Sequence, residues 1–399
     1  MIAVIGAGAA GCFAAIGIKE KYPHEEVAVF ESSEKALAKV AVTGGGRCNL
    51  TNSFRKVEKL EDVYPRGTQL MKRALRRFSQ QDTMDWFEDR GVRLLIQDDE
   101  CVFPVSQDAM QIVRTLENNM RSRGVKVVFG HRLEKIEGSG EGFRLHFRQK
   151  ESVIAGKVVL TIGGSSASTL AAMLPQDIEI AEPVPSLFTF KIADPGIRSL
   201  MGAVVDDAAL SIAGTAFRSS GTLLLTDWGV SGPATLRLSS YAARHLAGNG
   251  YKGTLCINWL HCKEDEARAL VRRLSDANPK KQVSNTHPPQ LSDRLWRHLV
   301  NRSGIREDLR WAETGSKSVN KLVNTLLADS YSIEGRARFK EEFVTCGGVD
   351  LNSVNINTLE SKTHPGLFFA GEVLDIDGVT GGFNLQAAWS TAMTIVNAL

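Results

Sequence analysis

At 399 residues, with 43% apolar and 23% charged side chains, the chain is long enough for two or three hydrophobic cores and too apolar for extended disorder. Its net charge of +3 is small for a nucleic-acid surface, so no nucleic-acid partner is expected. Cys12, Cys48, Cys101, Cys256, Cys262 and Cys346 show no CxxC spacing, and no apolar run nears the roughly 20 residues that span a bilayer; the expectation is a cytoplasmic protein with no disulfide framework, no metal and no membrane partner.

Ile2 to Ile5 form a short apolar run that leads into Gly6, Gly8 and Gly11, spaced G-x-G-x-x-G, and then into a helical stretch over residues 10–21. Val27 to Phe30 reads as a second buried strand. It ends in Glu31 and Ser32, at the distance past the glycines where a ribose-binding carboxylate belongs. In that pattern Gly6 permits the tight turn, Gly8 lets the backbone approach a pyrophosphate, and Gly11 allows helix and strand to pack closely. Ala9 and Ala10 open the helix, whose N-terminus faces the phosphate charge. A glycine-rich turn alone is weak, because structural loops use it too; the flanking strand, the helix and the spaced carboxylate together predict a dinucleotide site.

Residues 43–52 (TGGGRCNLTN) follow. Gly45 and Gly46 supply backbone donors, Arg47 a fixed cation, and Cys48 and Asn49 complete a loop suited to a pyrophosphate or flavin edge. Residues 107–124 read as a helix with a glycine stop, and 126–129, 132–137, 143–147 and 157–162 as strands of the first domain. Pro183 and Pro185 mark a boundary, after which 187–192, 203–212 and 221–226 suggest a strand-rich unit. From Glu264 onward apolar residues recur at helical spacing, through Leu270, Val271 and Leu274, then Leu295, Leu299 and Val300, then Val319, Leu322, Val323, Leu326 and Leu327. This predicts a compact helical insert, with 278–290 as its mobile loop.

At the C-terminus, residues 366–371 (GLFFAG) form a short buried strand that ends in Gly371 and Glu372. Gly381, Gly382 and Asn384 then precede a helical stretch that includes Leu385 and Trp389. Such a strand end offers a carboxylate to ribityl hydroxyls, and the following helix aims its positive end at a flavin pyrimidine, where negative charge develops on reduction. The dinucleotide expected from both chain ends is FAD.

These residues resemble a known family. TGGGRCNLTN, LLLTDWGVSGPATLRLS (223–239) and AGEVLDIDGVTGGFNLQAAWSTA (370–392), with FPVSQDAMQIVRTLENNM (103–120) and EEFVTCGGV (341–349), look like the BaiN-type, or YhiN-like, NAD(P)/FAD-dependent oxidoreductases over nearly the whole chain. The resemblance implies an α/β fold with a discontinuous Rossmann-like FAD-binding domain (1–185 plus 350–399), a β-rich middle domain (186–262 plus 331–349) and a small helical insert (263–330). It implies that Gly6, Gly8, Gly11 and Glu31 hold the ADP half, with the backbone of Leu133 near the adenine and Gly163 and Gly164 near the same cofactor. Arg47, Cys48, Asn49, Gly371, Glu372, Gly382, Asn384 and Leu385 then line the pyrophosphate, ribityl or flavin. After Gly164 the family continues with a longer Ser-, Tyr-, Pro- and Gly-rich loop where this chain has SSASTLAAML, and many members carry histidine where this one has Asp227.

The expected function is oxidoreduction, in which NAD(P)H acts as transient electron donor and hydride passes through FAD to a small-molecule acceptor, such as an alkene conjugated to a carbonyl. Arg47, Asp227 and Thr380 are the candidate catalytic residues. A flavoprotein oxidase of a small amine is one alternative, and a non-catalytic FAD-binding redox protein or an RNA-modifying accessory is the other, the slight basicity lending RNA little support. Cys48, with no partner at CxxC spacing, reads as a packing residue.

Overall fold

In the computed structural model the apolar run Ile2–Ile5 is the central strand of a five-stranded parallel sheet. The strand order is Leu367–Phe369, Lys157–Leu160, Ile2–Ile5, Val27–Phe30, Lys126–Val128, with Ile5 level with both Phe30 and Leu160. The inner strands bury every residue bar Lys157, which is why they read as continuous apolar runs without alternation. The structure describes residues 1–140, 142–337 and 344–399, and the chain divides into one unit of Met1–Val184 with Val344–Leu399 and a second of Pro185–Phe343.

In the first unit, the helix Ala9–Lys21 follows the first strand and lies against the closing helix Phe383–Ala398. The contact is close at Gly17, where an added Cβ would stand 2.9 Å from a methyl of Val396. Phe13 sits among Phe78, Trp86, Phe87 and Trp389, with ring centroids 4.6 Å from Trp86 and 5.0 Å from Trp389. Truncating such a buried tryptophan to alanine costs about 3–5 kcal/mol. The closing helix also buries polar side chains, each with a partner: Trp389 donates to the Leu50 carbonyl (3.0 Å), Ser390 to that of Phe78 (2.7 Å), and Gln386 accepts from Thr51 (2.5 Å). Small antiparallel sheets complete the unit, including Thr51–Asn52 with Cys101–Pro104 and Leu94–Ile96, and the meander Leu133–Ser139, Gly142–Phe147, Val153–Ala155. SSASTLAAML enters the helix Ala167–Met173, with Ser166 as its cap.

The first unit's N-terminal segment ends at Val184, between Pro183 and Pro185, where the boundary was expected. The two prolines lie in the strand Ile180–Ser186, which among the described residues pairs only with Val344–Val349, an edge setting in which a missing N–H is tolerated. Val344–Val349 therefore belongs to the first unit rather than to the β-rich region expected at 331–349. Residues 341–343 of the EEFVTCGGV motif lie outside the described residues.

The second unit is a closed six-stranded barrel ordered Phe190–Ile192, Gly229–Ser231, Arg218–Thr226, Val204–Ile212, Gly253–Asn258, Asp329–Arg336. The helices Glu264–Ala277, Asp293–Arg302 and Ser316–Ala328 are inserted between its last two strands in chain order. Barrel and helices share one core, in which Leu210, Leu225 and Ile257 join Trp259, Trp296, Trp311 and Leu322. Residues 278–290, expected as a mobile loop, are pinned instead. Val283 is fully buried, donates to the Leu309 carbonyl (3.0 Å) and accepts from the Trp296 indole (2.7 Å). One apolar residue in a polar stretch is the anchor, which composition averages away.

Candidate functional site

At the N-terminal turn each glycine has a distinct reason. Gly6 has φ +103° and an added Cβ would lie 2.6 Å from the Thr161 carbonyl oxygen; at Gly11 it would lie 1.9 Å from that of Gly6. At Gly8 nothing stands within 4 Å. Two of the three glycines are thus fixed by the fold, and the third faces open space at a helix N-terminus that has no side-chain cap. The free N–H groups of that first turn favour an anion. Ala9 and Ala10 open the helix, and Ala10 meets Gly371 from the other end of the chain, whose added Cβ would lie 3.0 Å from its side chain.

Glu31, at the end of the second strand, accepts from the Ala7 N–H (2.8 Å) through one oxygen and from the Ser33 N–H and hydroxyl (both 2.8 Å) and the Ser32 hydroxyl (3.1 Å) through the other. Half-burial pushes its carboxyl up, but these donors outweigh it and hold the group below the usual carboxylate value. The anion is therefore fixed beside the glycine turn. His131 donates its N–H to the Glu31 carbonyl (2.8 Å), which brings the segment leading to Leu133 alongside. Leu133 itself is buried and heads the meander.

The triple-glycine string is not a plain loop. It ends the helix Ala38–Gly46 in a kink at Thr43, Gly44 and Gly45, and Gly44, Gly45, Gly46 and Cys48 all have positive φ. At Gly45 and Gly46 an added Cβ meets nothing within 4 Å, whereas at Gly44 it would crowd Asn49 and Phe103. Arg47 is exposed, donates Nε to the Gly44 carbonyl (3.1 Å) and lies over the Phe103 ring (4.5 Å). Cys48 is fully buried, and burial pushes its thiol up to about 12, so it is a neutral packing residue. Asn49, in the orientation that satisfies both groups, donates to the Thr51 carbonyl (2.9 Å) and accepts from the Gly382 N–H (3.1 Å).

The structure thereby joins the two distant signals. Gly382, in the left-handed region (φ +88°), starts the uncapped helix Phe383–Ala398. Asn52 donates to the Gly381 carbonyl (3.1 Å). Glu372 accepts from the Thr345 N–H (2.8 Å) and pairs with Lys39 (3.3 Å); it also walls Gly163 and Gly164, whose added Cβ atoms would lie 3.6 and 3.0 Å from its oxygens. Thr380 and Leu385 are half-buried at the glycine turn. The Asn384 amide bonds reciprocally to the Gly378 carbonyl and N–H (both 2.8 Å), so its side chain braces the turn. Asp227 belongs to the second unit, where it is exposed between two barrel strands and its carbonyl accepts from Arg198.

Sequence reading did not single out Lys39, Asn52, Arg66, Thr161, Thr345 or Asp377. None carries a local signal, since each acts through a partner far along the chain. The donor set fits a dinucleotide: two uncapped helix starts, three glycines open to a ligand, and a half-buried carboxylate at a strand end. Among the described residues no helix is long and apolar enough to cross a membrane.

Comparison with known proteins agrees with this geometry. The model of the HI0933-like protein Rossmann domain matches residues 1–398. The 3-dehydro-bile acid delta(4,6)-reductase of Clostridium scindens is 26% identical, over 98% of this chain and 96% of that protein. The ribosomal RNA dihydrouridine synthase of Escherichia coli is 30% identical, over 98% and 95%. In fold the chain is similar to a 3-ketosteroid delta1-dehydrogenase from Sterolibacterium denitrificans, with a TM-score of 0.50 at 12% identity, over 99% of this chain and 98% of that one. The chain belongs to the HI0933-like family of Rossmann-fold, FAD-binding oxidoreductases, the BaiN/YhiN type that its motifs resemble.

Proposed function

We propose that this protein is an NAD(P)H-dependent reductase that uses FAD to saturate a carbon–carbon double bond conjugated to a carbonyl. The observation that carries the reading is the cradle itself, in which Gly8, Gly45 and Gly46 leave room for a ligand between two helix starts while Glu31 and Glu372 stand at strand ends. Bound there, FAD supplies two-electron chemistry at its isoalloxazine ring. Glu31 accepts from ribose hydroxyls, and the N–H groups after Gly8 meet the pyrophosphate. Glu372 orients ribityl hydroxyls, and the helix start after Gly382 stabilises negative charge. Arg47 brings a cation to the loop and Thr380 a hydroxyl to the turn, two groups that would orient an acceptor carbonyl. The reaction consumes NAD(P)H, a proton and the alkene, and releases NAD(P)⁺ and the saturated product. The names of both curated relatives denote a reductive step, which supports this class.

The test is anaerobic stopped-flow mixing of the yellow protein with NADH or NADPH, followed by an enone acceptor. Bleaching near 450 nm and recovery on adding the enone are expected. No bleaching by either nucleotide removes the donor assignment. Peroxide release with oxygen consumption that an amine drives would favour the oxidase instead.

A second reading of the acceptor, a uracil ring within RNA, is favoured by the charge distribution. Residues 185–343 hold 22 Lys and Arg against 16 Asp and Glu, a surplus of +6, while the first unit has 26 against 29, or −3. The barrel unit also has a cavity of about 500 Å³ lined by Arg218, Arg237, Tyr241, Asn258 and His261, a lining suited to phosphate. Reduction of uridine in a ribosomal RNA fragment, set against reduction of a steroid-like enone, separates the two acceptors.

A further inference from the structure

The turn that feeds the closing helix is held by a charged pair outside the cradle. Asp377 has no exposed side-chain surface, and both its oxygens are engaged by Nε and Nη2 of Arg66 in a two-pronged contact. Around this pair the chain is zipped. Arg66 and Asp377 form an antiparallel bridge, the Val379 N–H donates to the Val63 carbonyl (2.9 Å), and the Tyr64 hydroxyl donates to the Phe383 carbonyl (2.8 Å). The fit is tight: an added Cβ on Gly67 would lie 2.0 Å from Ile376, and one on Gly378 would lie 3.2 Å from the Tyr64 ring. Asn384 and Asn52 bond to Gly378 and Gly381 of the same turn. Asp375 also lies near Arg66 and adds to its anionic surroundings.

A buried ion pair is a poor source of stability, because desolvation offsets most of the attraction and an apolar pair of equal volume serves as well. What a guanidinium–carboxylate fork does supply is a fixed orientation. Here it fixes residues 376–379, which directly precede Gly381, Gly382 and the helix start. We propose that Arg66 and Asp377 are positioning residues, holding the glycine turn so that the N–H groups of the closing helix stay aligned on the flavin and set its reduction potential. This rests on the reading that FAD occupies the cradle.

The experiment uses the full-length protein with FAD bound and measures midpoint potential by equilibration with reference dyes, together with FAD content and melting temperature. Arg66→Lys keeps the charge and loses the fork. Its expected result is retained FAD with a potential more negative by about 30 mV, equivalent to a tenfold change in the ratio of reduced to oxidised cofactor for a two-electron couple. The double variant R66M/D377L keeps the volume apolar and is expected to fold and to show the same downward shift. A wild-type potential in the FAD-bound form of both variants overturns the proposal, whatever their melting temperatures. Wild-type protein that binds no FAD overturns the cradle reading itself, so the two failures are distinguishable.

Discussion

Gly8 and Gly11 stand three residues apart in one motif, yet the structure separates their roles so completely that substituting each by alanine should give opposite phenotypes. At Gly11 the new methyl would stand 1.9 Å from the Gly6 carbonyl oxygen and 2.5 Å from the Thr161 hydroxyl, and the first of these is backbone that cannot swing away. Overpacking of this kind costs about 1–3 kcal/mol, and each kcal/mol lowers the melting temperature of a domain this size by about 2–4 °C. G11A should therefore melt roughly 2–12 °C lower even without cofactor. At Gly8 the backbone is extended (φ −84°, ψ −169°) and nothing lies within 4 Å, so the FAD-free G8A protein should melt within about 2 °C of wild type. The methyl would occupy the space through which a pyrophosphate approaches, and FAD affinity should fall at least tenfold, or about 1.4 kcal/mol. Differential scanning fluorimetry on stripped protein and titration of flavin fluorescence measure the two quantities separately. If G8A bound FAD within threefold of wild type, the assignment of Gly8 to the pyrophosphate would be refuted.

Cys48 should resist iodoacetamide at pH 8 in the native protein and show no long-wavelength thiolate–flavin band, because burial holds its thiol at about 12; rapid alkylation would contradict this. Glu31 is held below the usual carboxylate value, so its contribution to stability is fully present above about pH 4.5 and is lost as the pH falls through its lowered value. E31Q should flatten that acid limb of the melting curve and weaken FAD binding, and an unchanged limb would show that Glu31 does not set it. In the barrel unit, burial lowers the His298 pKa despite Asp329 and Asp194 nearby, with Arg302 adding to the lowering. Its neutral form, in contact with the Tyr331 hydroxyl (3.2 Å), is stable above about pH 6.5, and that stability is lost as the pH falls below it. H298Q should melt with a shallower pH slope between 5 and 7; an equal slope would place the titration elsewhere.

What could be read from the sequence follows one physical rule. Ile2–Ile5 and Val27–Phe30 appear with the bounds their composition predicts, because a central parallel strand buried on both faces admits little but aliphatic residues. Gly6 and Gly11 are legible for a similar reason: each answers a contact made within a few residues or one strand away. The misses are features whose cause lies far along the chain. Pro183 and Pro185 mark the division between the two units as expected, but nothing local announces the edge pairing with Val344–Val349. Lys39–Glu372 and Arg66–Asp377 span 333 and 311 residues, and neither has a periodicity or a motif that marks it. Asn384 falls between the two cases, since its place beside Gly382 was legible but its bonds back to Gly378 were not. The net charge of +3 likewise hides a distribution, being the sum of a basic barrel unit and an acidic nucleotide-binding unit. Local sterics therefore make the cofactor site legible, because its turns are fixed by glycine. The proposed acceptor site would draw on side chains and surface charge that only the fold assembles, so experiments on the substrate should begin with Arg47, Thr380 and the charge of each unit rather than with the glycine motifs.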